Sequence, residues 1–206
     1  RDGEIVPLIA ETGGQNAMIV DSTALPEQIV RDVLASSFQS AGQRCSALRV
    51  LFLQEDVADK ILTMLAGAMD ELHVGDASQL ATDVGPVIDE EAAMMLRNHI
   101  DRLKKEAKLI RELPLPSGHS NGTFVPPACF EIEGLHVLKK EVFGPVLHVI
   151  RYKASELDSI IDQINNSGFG LTLGIHSRID ETVNYISRRV RVGNVYVNRN
   201  QIGAIV

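Results

Sequence analysis

The chain has 206 residues, of which 45% are hydrophobic and 23% charged, enough to bury roughly 70% of its unfolded surface in one sizeable core without a staple. A net charge of −7, with Lys and Arg scattered singly or in pairs, argues against a nucleic-acid surface, which needs clustered cations on phosphates. Two cysteines make no disulfide framework, so a reducing compartment is the default, and no run approaches the roughly 18 apolar residues of a membrane span.

In chain order, apolar runs over residues 4–11 (EIVPLIAE) and 16–21 (NAMIVD) read as strands. Pro26 opens a helix whose Ile29, Val30, Val33, Leu34 and Phe38 recur at helical spacing. Proline suits a first turn, where its missing N–H has no partner to lose, and Gly42 suits the helix end. Residues 47–53 (ALRVLFL) read as a buried strand. Amphipathic helices are predicted over 57–72 and 90–110, then a loop over 114–122 (PLPSGHSNG) and a strand near 124–132. A strand over 146–152, a helix over 155–165, a strand over 171–177, a helix over 181–190 and a strand over 194–198 complete the series. Strands alternating with helices imply crossovers, hence an α/β fold with a mostly parallel sheet covered by helices.

Two polar turns interrupt these elements. Cys45 follows Gly42-Gln43-Arg44 and precedes Ser46, between a helix and a strand. A free cysteine is more often a small core hydrophobe, yet this turn is a poor place for one. In open α/β sheets, sites form in crevices at strand ends, and a nearby cation or oriented N–H groups can bring a thiol into a nucleophile's working range. Core filler and nucleophile both stay open on these residues alone. Glu11 ends an apolar strand before Thr12-Gly13-Gly14, which suits a general base but equally an exposed terminal acid. The six histidines show no zinc-ligand spacing, Cys129 has no C-x-x-C partner and reads as core, and no phosphate-loop pattern occurs.

Five motifs in order carry a family resemblance. Phe38-x-x-x-Gly42-Gln43-x-Cys45 resembles the cysteine signature of the aldehyde dehydrogenase superfamily, and Ala10-Glu11-Thr12-Gly13-Gly14 its glutamate signature. Glu141-Val142-Phe143-Gly144-Pro145 resembles its E-x-F-G-P motif. Gly168-Phe169-Gly170-Leu171-Thr172 and Gly193-Asn194-Val195-Tyr196-Val197-Asn198 are similar to two later stretches. ETGGQNAMIVD, GQRCSALRVL and GNVYVNRNQIGAIV look like the delta-1-pyrroline-5-carboxylate dehydrogenase branch, which occurs alone or within bifunctional proline utilization A. Gln15 departs from the Lys that many members carry.

The resemblance implies the chemistry. Cys45 would attack an aldehyde, hydride would pass to NAD, and Glu11 would activate water against the resulting thioester. The N–H of Cys45 would be one oxyanion donor; the family's other donor, an asparagine, has no matching stretch here. Glu141 would hold the nicotinamide ribose with Phe143 near the ring. Ser46, with the N–H groups of Gly203 and Ala204, would grip the alpha-carboxylate of glutamate-5-semialdehyde. No metal is implied. The chain begins at Arg1 and stops in the apolar run Ile205-Val206, so it is expected to be a fragment. Residues 1–206 would be the catalytic domain, with 1–20 near the junction to a cofactor-binding domain, inactive and a poor NAD binder alone. The whole enzyme would be a homo-oligomer in a bacterial cytoplasm, or in a mitochondrial matrix. Two alternatives are an aldehyde dehydrogenase for another aldehyde and a non-catalytic scaffold of this fold.

Overall fold

A computed structural model describes residues 13–115 and 122–203. The predicted strand over 4–11 lies outside them, as does most of the 114–122 loop. Seven strands among these residues form one sheet in the order β3-β4-β5-β2-β1-β6-β7. They are β1 (Ala17–Val20), β2 (Val50–Gln54), β3 (Lys108–Glu112), β4 (Ala128–Glu131), β5 (Val146–Tyr152), β6 (Thr172–His176) and β7 (Asn194–Val197). Every neighbouring pair is parallel except β3 with β4. The helices are α1 (Pro26–Phe38), α2 (Glu55–Asp70), α3 (Glu90–Glu106), α4 (Leu157–Asn165) and α5 (Asp180–Arg189).

The central strands β1, β2 and β6 are buried at every residue. Parallel strands covered on both faces read as such unbroken apolar runs, because neither face meets water. Helices α1 and α2 pack on each other, and α2 also meets β2 and β5, which gives their apolar stripes a partner. Among the described residues no helix is long and apolar enough to cross a membrane.

Two predicted elements are shortened for visible reasons. The helix predicted over 90–110 stops at Glu106, where Ala107 turns extended (φ −137°, ψ 169°). The following KLIRE is instead β3, antiparallel to β4 at the sheet edge. At its other end α3 is capped by Asp89, whose carboxylate accepts the Ala92 N–H at 2.8 Å. The strand predicted over 124–132 shrinks to β4 because Pro126 and Pro127 lack the N–H a ladder needs.

Helix α1 ends at Phe38, and a tight turn, Gln39–Gly42, follows. Within it Ser40, Ala41 and Gly42 all adopt left-handed conformations, with φ of 54°, 53° and 66°. Two non-glycine residues in that region cost about 1 to 2 kcal/mol each, so the strain sits directly ahead of Cys45. At Gly42 a side chain is excluded outright, since a Cβ would overlap the Gly144 carbonyl and come 2.8 Å from the Ser37 carbonyl. Gly42→Ala is therefore expected to destabilise by about 2–4 kcal/mol in urea melts, combining left-handed strain with a backbone clash. Gly67→Ala, inside α2 with open space around it, should instead stabilise by up to about 1 kcal/mol.

Candidate active site

The polar and glycine-containing turns singled out in the sequence converge on one edge of the sheet. Gly13 to Asn16 lead into β1, the Cys45 loop leads into β2, Glu141 to Pro145 lead into β5, and Thr172 starts β6. All four are amino ends of parallel strands, whereas open α/β sheets commonly use the carboxyl ends. At the carboxyl edge, Asp21 accepts from the Thr23 N–H at 2.8 Å and from the Ser177 hydroxyl, while Asn198 clasps the Ser177 backbone at 3.1 and 2.9 Å. That edge is knitted shut by polar contacts.

Cys45 is exposed, whereas Cys129 is fully buried in β4, where burial pushes its thiol well up. The Cys45 loop hangs on the side chain of Asn16, 3% exposed. Its Nδ2 donates to the Cys45 carbonyl at 2.7 Å and to the Ala47 carbonyl at 2.9 Å, and its Oδ1 accepts the Thr172 N–H at 3.2 Å. One amide thus ties the loop to the first residues of β1 and β6. Gly14 makes room for this, because a Cβ there would lie 2.8 Å from the Cys45 carbonyl and within 2.8 Å of the Asn16 amide. Gln43 adds a second tether: its Oε1 accepts the Ile88 N–H at 2.7 Å. Among the described residues the Cys45 N–H has no hydrogen-bond acceptor, which leaves it free to donate to a ligand.

Arg49, one residue before β2, is 1% exposed and joins this loop to the Glu141 segment. It donates to the Gly144 carbonyl at 3.2 Å and the Arg44 carbonyl at 3.3 Å, and its Nη2 lies 3.5 Å from Glu141 Oε1. The guanidinium also sits 5.0 Å from the centre of the Phe143 ring. Burial lowers Arg49 to about 10, while Glu141 and Cys45 act electrostatically in the opposite sense. The buried Oε1 of Glu141 has this ion pair with Arg49 but no hydrogen bond of good geometry among the described residues, and Gly13 backs directly onto the same carboxylate. A cavity of about 1160 Å³ opens beside it, bordered by Met94, His99, Arg102 and Lys140.

Of the residues singled out in the sequence, Cys45, Glu141 and Phe143 are thus linked through Arg49. Ser46 is 2% exposed beside Cys45, its carbonyl 3.4 Å from both the Thr172 hydroxyl and the Gln201 amide nitrogen. Gly203 is exposed and left-handed, at φ 82°. Glu11 and Ala204 lie outside the described residues. Sequence reasoning missed Arg49 and Asn16, having absorbed both into apolar strands. A charged residue inside ALRVLFL was the available signal, since buried charges persist only with partners.

Comparison with known proteins identifies the family and the fold. The model of the aldehyde dehydrogenase family matches residues 1–206. The chain is 56% identical to the bifunctional protein PutA of Klebsiella aerogenes, over 99% of this chain and 16% of that protein. It superposes on a crystal structure of bifunctional proline utilization A with a TM-score of 0.92 at 58% identity, covering all of this chain and 20% of that one. A 1-pyrroline-5-carboxylate dehydrogenase from Thermus with bound NAD matches with a TM-score of 0.86 at 33% identity, over 95% of this chain and 37% of that one. The chain therefore spans about a sixth of the PutA relative's length, and it belongs to the aldehyde dehydrogenase family.

Proposed function

We propose that residues 1–206 are the catalytic domain of an NAD-dependent dehydrogenase that oxidises glutamate-5-semialdehyde to glutamate in proline catabolism. Residues 1–20 would lie near the junction with a cofactor-binding domain, in a homo-oligomeric enzyme of the bacterial cytoplasm. One observation carries the reading: the exposed thiol of Cys45 shares a strand edge with the Glu141 carboxylate, and buried Arg49 joins the two segments, donating to the Arg44 carbonyl and ion-paired to Glu141. Similarity to proteins named PutA and 1-pyrroline-5-carboxylate dehydrogenase supports the substrate, and the NAD-bound relative supports the cofactor.

On this reading each group has a step. The Cys45 thiolate attacks the aldehyde carbon, a C–S bond forms, and the carbonyl electron pair moves onto oxygen, towards the Cys45 N–H. Glu141 and Phe143 would hold NAD at its nicotinamide ribose and ring, and the bound cofactor would supply the hydride acceptor for this carbon. The thioester left on Cys45 is opened by water: Glu11 takes the proton, a C–O bond forms, and sulfur departs. Ser46 and the N–H groups at Gly203 and Ala204 supply donors for the substrate's carboxylate.

The test compares glutamate-5-semialdehyde with propanal in the full-length enzyme, following NADH formation. A site that pairs with a carboxylate should favour the semialdehyde in kcat/KM by about 100-fold or more. Ser46→Ala should shrink that ratio about tenfold, the loss of one charge-assisted hydrogen bond. Equal efficiency on both aldehydes would sink the substrate assignment.

A further inference from the structure

Arg49 is held through its backbone as well as its side chain. Its carbonyl accepts two bonds from one residue of β5: the His148 N–H at 3.0 Å and the His148 ring Nδ1 at 2.9 Å. A carbonyl only accepts, so Nδ1 carries the proton and His148 Nε2 is left as a lone pair. That lone pair faces His99 Nε2 of α3 at 2.9 Å, with the rings edge-to-face at 80°. His99 Nε2 must therefore be the protonated nitrogen. His99 Nδ1 then accepts, and Arg102 Nη2 stands 3.4 Å from it. The guanidinium of Arg102 is itself fixed by Glu106 at 2.6 Å and the Val137 carbonyl at 3.4 Å.

Both imidazoles are thus neutral and each has a single permitted tautomer. Burial agrees with this, lowering His148 to about 3 and His99 to about 4. Stability alone does not account for the pair. The ladder N–H already serves the Arg49 carbonyl, and apolar side chains of similar volume would fill the same space at no loss. What the rings add is direction. They clamp the peptide from which the Arg49 side chain departs.

We propose that the Arg102–His99–His148 relay is a positioning device for Arg49, holding its guanidinium between the Cys45 loop and the Glu141–Gly144 segment. The inference rests on reading Cys45 as nucleophile and Glu141 as cofactor holder. Misplacing a supporting group by about 1 Å can cost on the order of 100-fold in rate. His148 and His99 accordingly act through Arg49 and do not touch the reacting atoms.

The test uses three replacements at His148 in the full-length enzyme. Asparagine puts its amide nitrogen where Nδ1 stood and keeps the bond to the Arg49 carbonyl. Glutamine reaches only the Nε2 position, and leucine keeps neither. Cys45 alkylation by iodoacetamide and the KM for NAD are measured beside the thermal midpoint. Leu and Gln should slow alkylation and raise the KM about tenfold, while Asn stays within about threefold of the parent. Arg102→Met, at a half-buried position of α3, frees the His99 tautomer while leaving both rings in place, and should slow alkylation about threefold. Parent-like alkylation and KM in both His148→Leu and Arg102→Met would overturn the relay, as would equal losses in Asn, Gln and Leu that track the melting point. A parent enzyme that oxidises no aldehyde would instead overturn the catalytic reading, and the alkylation comparison would still decide the relay.

Discussion

Cys45→Ala in the full-length enzyme is expected to lower kcat for glutamate-5-semialdehyde oxidation by about 10⁴-fold or more, the scale of losing a covalent nucleophile. NAD binding and the thermal midpoint should hardly move, because the Cys45 side chain is exposed and exposed substitutions stay within about 0.5 kcal/mol. The other thiol of this chain cannot substitute, since Cys129 lies fully buried in β4 and burial keeps it protonated. Cys45→Ser should be as inactive, because a hydroxyl in the same place lacks an accessible anion. Stopped-flow NADH formation checks both variants; a residual rate within tenfold of the parent would mean the chemistry runs elsewhere.

Asn16→Ala carries the second large effect. The change strands the Cys45 and Ala47 carbonyls and the Thr172 N–H, three groups that one amide now serves. Each unpaired buried group costs about 1–3 kcal/mol, partly recovered by water that enters the space, so a net loss of about 3–5 kcal/mol is expected. Asn16→Asp should be worse, because a carboxylate cannot donate to two carbonyls and would add a buried charge against them. The urea midpoint should fall with little change in slope, and Cys45 alkylation should lose its single rate as the loop comes free. A midpoint within 1 kcal/mol of the parent would show that the loop is held by something other than Asn16.

How much of this was legible depends on whether the signal is local. Strand β5 (Val146–Tyr152) coincides with the predicted span, because a β-branched run bounded by Gly144-Pro145 needs no tertiary information. Helix α1 likewise follows from its spacing and Pro26. Strand β3 was not legible. Its Lys108, Arg111 and Glu112 are polar, no glycine or proline marks the end of α3, and its pairing with β4 is visible only in three dimensions. Its charges find partners on other elements: Glu112 with Lys104 of α3, Arg111 with Asp70 of α2 and Lys108 with Glu131 of β4.

The site divides in the same way. Cys45 and Glu141 stand in short motifs that keep their residue types together. Asn16, Arg49 and His148 come from β1, β2 and β5 regions and gain meaning only from register, which sets Val50 opposite both Ala17 and His148. Each is a polar residue within or beside an apolar run, which is the pattern a buried, partnered polar group leaves in a sequence. The glycines of ETGGQ were readable as close approaches, but not what they approach: Gly13 meets Glu141 and Gly14 meets Asn16 and Cys45.

The most direct measurement is the mass of the Cys45 peptide taken from the full-length enzyme quenched in acid during turnover of glutamate-5-semialdehyde with NAD. The account predicts a glutamyl thioester on Cys45, removed by hydroxylamine and absent without NAD. Steady oxidation with Cys45 unmodified throughout, or an acyl group on another side chain, would contradict it.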